Sequence, residues 1–316
     1  MKLILDAFIE RTHCEQYPIY FKRLIEYCNL VINNPDELPY NIEYIKSLKL
    51  KWEEYIINNS IDMEIKTTNK EYKHNKYRKF CLEKQLSLSE HALFCFCKKS
   101  KDDNLGIITS HPHTQTKFSE KYEVLVDKLK AEFNVARLDY YHSVAKDINI
   151  SLYNKVVISK TDLSNVKNDT KTTLLIRSFK QAYSILDKIA IGLLNLFELT
   201  YDRIYFHELN DYLSRNEDFK DNFYSLAIAS IANEISHQNE KASFKEYKNW
   251  RDGIEHNYFF LIDKEMQKSH DLKGVSFVKR DLFEEKTLHL LELCRSAIFS
   301  FVFLARDISC KKQKEK

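Results

Sequence analysis

Glycine and proline are scarce in this chain of 316 residues, with four of each, against average usage of about 7% and 5%. Pro18, Pro35, Pro39 and Pro112 all precede residue 113, so the rest of the chain lacks the strongest helix breaker. A chain so short of turn residues predicts long helices joined by few tight turns. Charge of one sign is lacking as well. Net charge is +3 with 30% charged residues, which argues against a histone-like nucleic-acid protein while allowing a local basic cleft. No CxxC pair occurs among the seven cysteines, Cys14, Cys28, Cys81, Cys95, Cys97, Cys294 and Cys310. Thiols in that pattern read as small apolar residues in a reducing, cytoplasmic compartment. Long apolar runs are missing too. The most apolar stretch, 297–305, is too short to span a bilayer and lies between Arg295 and Arg306. Met1-Lys2 leads into an apolar stretch broken by Asp6 and Glu10, which is not a signal peptide pattern. The expectation is a soluble protein with no membrane partner. His111-Pro112-His113 has no third ligand close by, so neither a metal nor any other cofactor is expected.

What is present is apolar periodicity. Hydrophobic residues make up 44% of the chain, enough for a real core and one or two domains. Helical spacing predicts long helices over about 118–146, 173–199, 222–235, 244–262 and 281–308, with a polar connector at 263–279 joining the last two. Residues 1–60 read as shorter helices, broken near Pro35 and Pro39. Residues 71–80 alternate basic and aromatic side chains, a pattern that suits single-stranded RNA and equally suits a solvated helix face. The fold class is all-α: a bundle of four to five long helices over about 118–310, preceded by a smaller helical region.

One motif carries chemistry. Arg251 and His256 stand five positions apart, with Asp252 and Glu255 between them and Tyr258 two places on. A histidine that moves protons and an arginine that holds the charge building on phosphorus suit phosphodiester cleavage without metal. Spacing alone is not distinctive, because Arg137 and His142 repeat it. On the expected helix, Tyr247, Trp250, Ile254 and Leu261 define the packed face. Asp252 and His256 share a face turned away from it, where Asp252 is placed to hydrogen-bond the imidazole. Phe259 and Phe260, one turn beyond, point outward in this reading and suggest an interface, most simply a two-fold homodimer. Lys264, Lys268, Lys273, Lys279 and Arg280 follow the motif and are candidates to guide an RNA backbone. The plainer alternative is a surface helix with two i,i+4 ion pairs, Arg251–Glu255 and Asp252–His256.

Around this motif the chain resembles the LA2681-like branch of the HEPN domains. The matching pieces run from Tyr77–Leu82 through Lys128–Phe133 with Ala136-Arg137, Ser184–Ala190 and Phe223–Ala227 to Glu255–Tyr258 and Thr287–Ile298. The resemblance implies a HEPN-like helical bundle over 71–316, with residues 1–70 a helical region of unassigned role. It implies a metal-independent endoribonuclease of toxin–antitoxin, abortive-infection or anti-phage systems. His256 would be the general acid/base, Arg251 the phosphate-stabilising cation and Asp252 the orienting polar residue. It further implies an antitoxin or nucleotidyltransferase partner able to modify Tyr258, with Glu255 auxiliary. The alternative within the same family is an inactive module that binds RNA or a protein without cutting.

Overall fold

From residue 118 onward the apolar rows form the expected helices, except over the end of 244–262. A computed structural model describes residues 25, 28–29, 32–33, 42–58, 75–93, 98–109, 116–145, 166–167, 169–200, 204–209, 212, 222–236, 244–263 and 273–314. The chain divides into two compact units, Met1–Asp103 and Asn104–Lys316. In the first, helix α1 (Ile42–Asn58) buries Ile45, Leu48 and Trp52 along one face, at steps of three and four. Helix α2 (Lys76–Glu83) starts at Asn75, whose side chain accepts the Arg78 N–H. The Arg78 side chain is tied to Asp103 at 2.7 Å. Of the basic–aromatic stretch 71–80, residues 71–74 lie outside the described residues, as does His111-Pro112-His113.

The second unit is the bundle. Helices α3 (Lys117–Val144), α4 (Thr170–Leu196) and α7 (Arg280–Lys314) pack against one another. Helix α5 (Phe223–Ile235) lies on α7, and α6 (Glu246–His256) lies on α4. The core rows are Tyr122, Val126, Leu129, Phe133, Ala136 and Tyr140 of α3, then Leu175, Phe179, Ala182, Leu186, Ile189 and Leu193 of α4. From α7 they are met by Phe283, Leu290, Cys294, Ala297, Phe301 and Leu304. Cys294 behaves as the small apolar residue its position suggested: it is buried, and its thiol donates to the Ala182 carbonyl at 2.9 Å. Polar clasps fix α3 against α4 through Asp139 with Arg177 and Glu132 with Lys188. Helix α7 is long and apolar enough to cross a membrane by length and composition, but 61% of its apolar window is buried within the protein.

A strand replaces the last turns of the expected helix over 244–262. Helix α6 stops at His256, where Asn257 turns extended and donates its N–H to the Gly253 carbonyl at 3.1 Å. The chain continues as strand β2 (Tyr258–Ile262). It pairs in parallel with β3 (Val275–Lys279), Phe260 facing Phe277 in the register, and antiparallel with the two residues of β1 (Val166–Lys167). The reason is local chemistry. Tyr-Phe-Phe-Leu-Ile is aromatic and β-leaning, and the seven-residue step from Ile254 to Leu261 fits a helix only by coincidence. The connector at 263–279 therefore contains a strand, and it has the dozen or so residues that a parallel crossover needs. The all-α class stands, with this small sheet at the end of α6.

Asn222 shows how the bundle is tied. Its Oδ1 caps α5 by accepting the Tyr224 and Ser225 N–H groups, and its Nδ2 donates to Asp307 of α7 at 2.9 Å. Asn222→Ala is expected to lower stability by about 1–2 kcal/mol, from the lost cap and tether. Asn222→Asp keeps the cap acceptor but sets a carboxylate against Asp307, so its deficit should widen from pH 4 to pH 7 in urea titrations.

Candidate active site

The seat of α6 is aromatic. Tyr247 is fully buried edge-on to Phe179 of α4, and its hydroxyl donates to the Lys286 carbonyl of α7 at 3.0 Å. Trp250 leans on Phe179 and on Phe283. Phe259 of β2 closes the cluster against Phe283, and Phe260 stacks on Phe277 of β3. These two phenylalanines are thus packed inside the chain, not turned outward as the helical reading had them. Gly253 lets helix and strand come close. A Cβ on it would come within 3.3 Å of the Phe259 ring, so the close approach is to the chain's own strand. Gly274, with φ +77°, makes the turn into β3 and accepts the Tyr258 N–H, a conformation that glycine adopts without steric penalty.

Arg251 points inward, one turn along from Tyr247. Its guanidinium lies over the rings of Tyr183 and Tyr205, 5.4 and 5.6 Å from their centroids. Three carboxylates surround it: Asp252 at 3.6 Å, Glu255 at 3.7 Å and Asp187 at 4.0 Å. All three exceed hydrogen-bond length, so the five N–H donors of the fork are uncommitted to them. Glu255 also faces Lys180 at 3.5 Å. Asp187 in turn accepts the Phe206 N–H at 3.0 Å, which pins the short turn Phe206–Glu208 beside α4. Burial pushes the Asp187 carboxyl above its ordinary range, against the opposing pull of the Phe206 N–H and the Arg251 charge.

His256 and Asp252 keep their outward placement. His256 is the exposed last residue of α6, and the Asp252 side chain is half-exposed. The hydrogen bond expected between them is not formed among the described residues; Asp252 leans toward Arg251 instead. Ile254, expected in the packed face, is only half-buried. At 100° per residue Arg251 and His256 lie roughly 140° apart around the helix and about 7.5 Å along it. Arg251 and Glu255 therefore face α4 while Asp252 and His256 face solvent. Tyr258, 71% exposed, stands just beyond the helix end.

The basic residues after the motif have different placements. Lys264 and Lys268 lie outside the described residues, and Lys273 and Lys279 are exposed. Arg280 is committed to the start of α4, where it donates to the Thr172 hydroxyl at 2.9 Å and pairs with Asp169. The second arginine–histidine pair separates clearly from the first: Arg137 is buried inside α3 over the Phe133 ring. Sequence reasoning did not find Tyr183, Asp187 and Tyr205. Tyr183 and Asp187 had a signal in the i,i+4 spacing, with Asp187 the one carboxylate within α4.

Two substitutions test this geometry. Asp187→Asn removes a buried charge and keeps the acceptor for Phe206. Because the folded carboxyl binds its proton more readily than the unfolded one, parental stability falls as pH rises through that titration. The variant should therefore melt at or above the parent at pH 7, and the difference should close as pH drops toward 4. Gly253→Val forces branched carbons onto Phe259 and should cost about 1–3 kcal/mol, read as a lower urea midpoint.

A model of the LA2681-like HEPN family matches residues 113–307, more than half of the chain and all of the site described above. No curated protein and no solved structure matches. HEPN domains are helical modules that act as nucleases or bind RNA. By its helical bundle and by this match, the chain belongs to the LA2681-like HEPN family.

Proposed function

We propose that this protein is a metal-independent endoribonuclease that cuts RNA by attack of a ribose 2′-oxygen on the adjacent phosphorus. The observation that carries the reading is Arg251: it is held in place by two aromatic rings and three carboxylates, with its hydrogen-bonding fork uncommitted to them. Such a fork matches two equatorial oxygens of a pentavalent phosphorus. His256, exposed at the end of the same helix, supplies proton transfer. In the step, the 2′-hydroxyl loses its proton to an imidazole and the 2′-oxygen bonds to phosphorus. The P–O5′ bond breaks, and the departing 5′-oxygen takes a proton from a protonated imidazole. The products are a 2′,3′-cyclic phosphate and a 5′-hydroxyl.

Two imidazoles acting at once fit a homodimer that brings two copies of the motif to one phosphate. Lys273, exposed just before the Gly274 turn that receives Tyr258, and Lys279, exposed at the far end of β3, favour an RNA backbone. Asp252 serves the site through Arg251 in this reading, by bounding its range of movement. Tyr258 is accessible next to His256. It is the hydroxyl that a partner nucleotidyltransferase would modify to silence the enzyme, in keeping with a role in toxin–antitoxin, abortive-infection or anti-phage defence.

The test is cleavage of RNA in EDTA by the parent, His256→Ala and Arg251→Ala. The parent is expected to cut. His256→Ala should lose at least roughly 10²-fold, and Arg251→Ala should lose a comparable factor from transition-state charge. If folded His256→Ala protein cuts at the parental rate, the assignment is wrong. If the parent binds RNA but leaves it intact, the chain is a binding module of its family.

A further inference from the structure

Buried phenols in this protein have an acceptor or they do not, and the difference points to a ligand. Tyr122 donates to the Asn195 carbonyl at 2.8 Å and Tyr247 to the Lys286 carbonyl at 3.0 Å. Tyr183 is only 2% exposed, yet its hydroxyl has no hydrogen-bond partner among the described residues. A buried hydroxyl without a partner is costly and calls for a physical explanation. The ring that carries it is faced by the Arg251 guanidinium, 5.4 Å from the ring centroid. Asp187, one of the carboxylates that face Arg251, stands one turn along α4 from Tyr183 on the same face of the helix.

We propose that the Tyr183 hydroxyl is a second phosphate donor, which hydrogen-bonds a non-bridging oxygen of the RNA phosphate held by Arg251. The inference rests on the nuclease reading and adds to it a residue that touches the substrate. The chemistry is suited to the task. Burial first, then the neighbouring Asp187, raises the phenol's pKa, so the group keeps its proton and can only donate to an anion. A phosphoryl oxygen reaches it by taking over the loose contacts of Arg251 with Asp187 and Asp252, neither of which is at hydrogen-bond length. As negative charge grows on the equatorial oxygens, the guanidinium meets one and the hydroxyl the other. No proton leaves Tyr183, so the proton balance of the cleavage is unchanged.

Tyr183→Phe removes one oxygen and nothing else. The experiment compares it with the parent on an RNA bearing a single cleavable ribose, with melting temperatures measured alongside. The expected result is a melting temperature equal to or above the parent's, kcat lower by about 10²-fold and KM within about twofold. The pH profile should keep its shape, since no titrating group of the reaction is lost. If parent and variant cut equally fast, Tyr183 does not touch the phosphate and the nuclease reading stands without it. If the variant melts several degrees lower, its hydroxyl serves the fold and the proposal is overturned. If the parent itself does not cut, the nuclease reading fails, and this role fails with it.

Discussion

Tyr247 and Trp250, wedged against Phe179 of α4 and Phe283 of α7, set the position of everything else in the site. Helix α6 has only eleven residues, and Lys245 at its start provides no side-chain cap. A helix of that length is marginal by itself, so its stability comes from the aromatic seat. The seat also fixes rotation about the helix axis. With Tyr247 buried, the residue one turn on, Arg251, must face α4, and the residue five beyond that must face away. One packing decision therefore turns Arg251 toward α4 and His256 away from it.

The small sheet is the second half of that decision. Had α6 continued to residue 262, His256 would stand mid-helix on its outward face. Asn257 instead turns extended, and Tyr258 pairs with Val275 through the Gly274 turn. The chain leaves the helix sideways and His256 becomes terminal and exposed. The approach of Phe259 to Gly253 holds strand and helix together at a distance no side chain larger than hydrogen allows without movement. Gly253 is thus the contact surface of α6 for that strand.

The bundle was legible because its signals are additive: rows such as Tyr122 to Tyr140 and Leu175 to Leu193 repeat over many turns, with no proline to interrupt them. The motif was legible as a spacing, and its outward pair, Asp252 and His256, followed from the helical repeat alone. The helix end was not legible. An apolar run of five residues fits a helix and a strand equally well, and the pairing that decides between them comes from Val275–Lys279, thirteen or more residues away. The inward turn of Arg251 was hidden for a related reason. It depends on Tyr183, Asp187 and Tyr205, which lie more than forty residues earlier and become neighbours only when α6 docks.

The charge around Arg251 bears on what the site can hold. Three carboxylates face one guanidinium, with Lys180 reaching Glu255, so the motif is not a simple positive patch. An arginine wholly committed to bidentate pairs would have to break short hydrogen bonds before taking a phosphate. Here the contacts are 3.6–4.0 Å, long enough to orient the fork and weak enough to exchange. The most buried of the three, Asp187, is also the one whose burial favours the neutral form, so it competes least with an incoming anion. The aromatic rings hold the guanidinium by its face, and the edge that carries its donors is left for a planar, bidentate partner. In the proposed reaction, that division of faces would keep the arginine in place and leave its donors available to a phosphate.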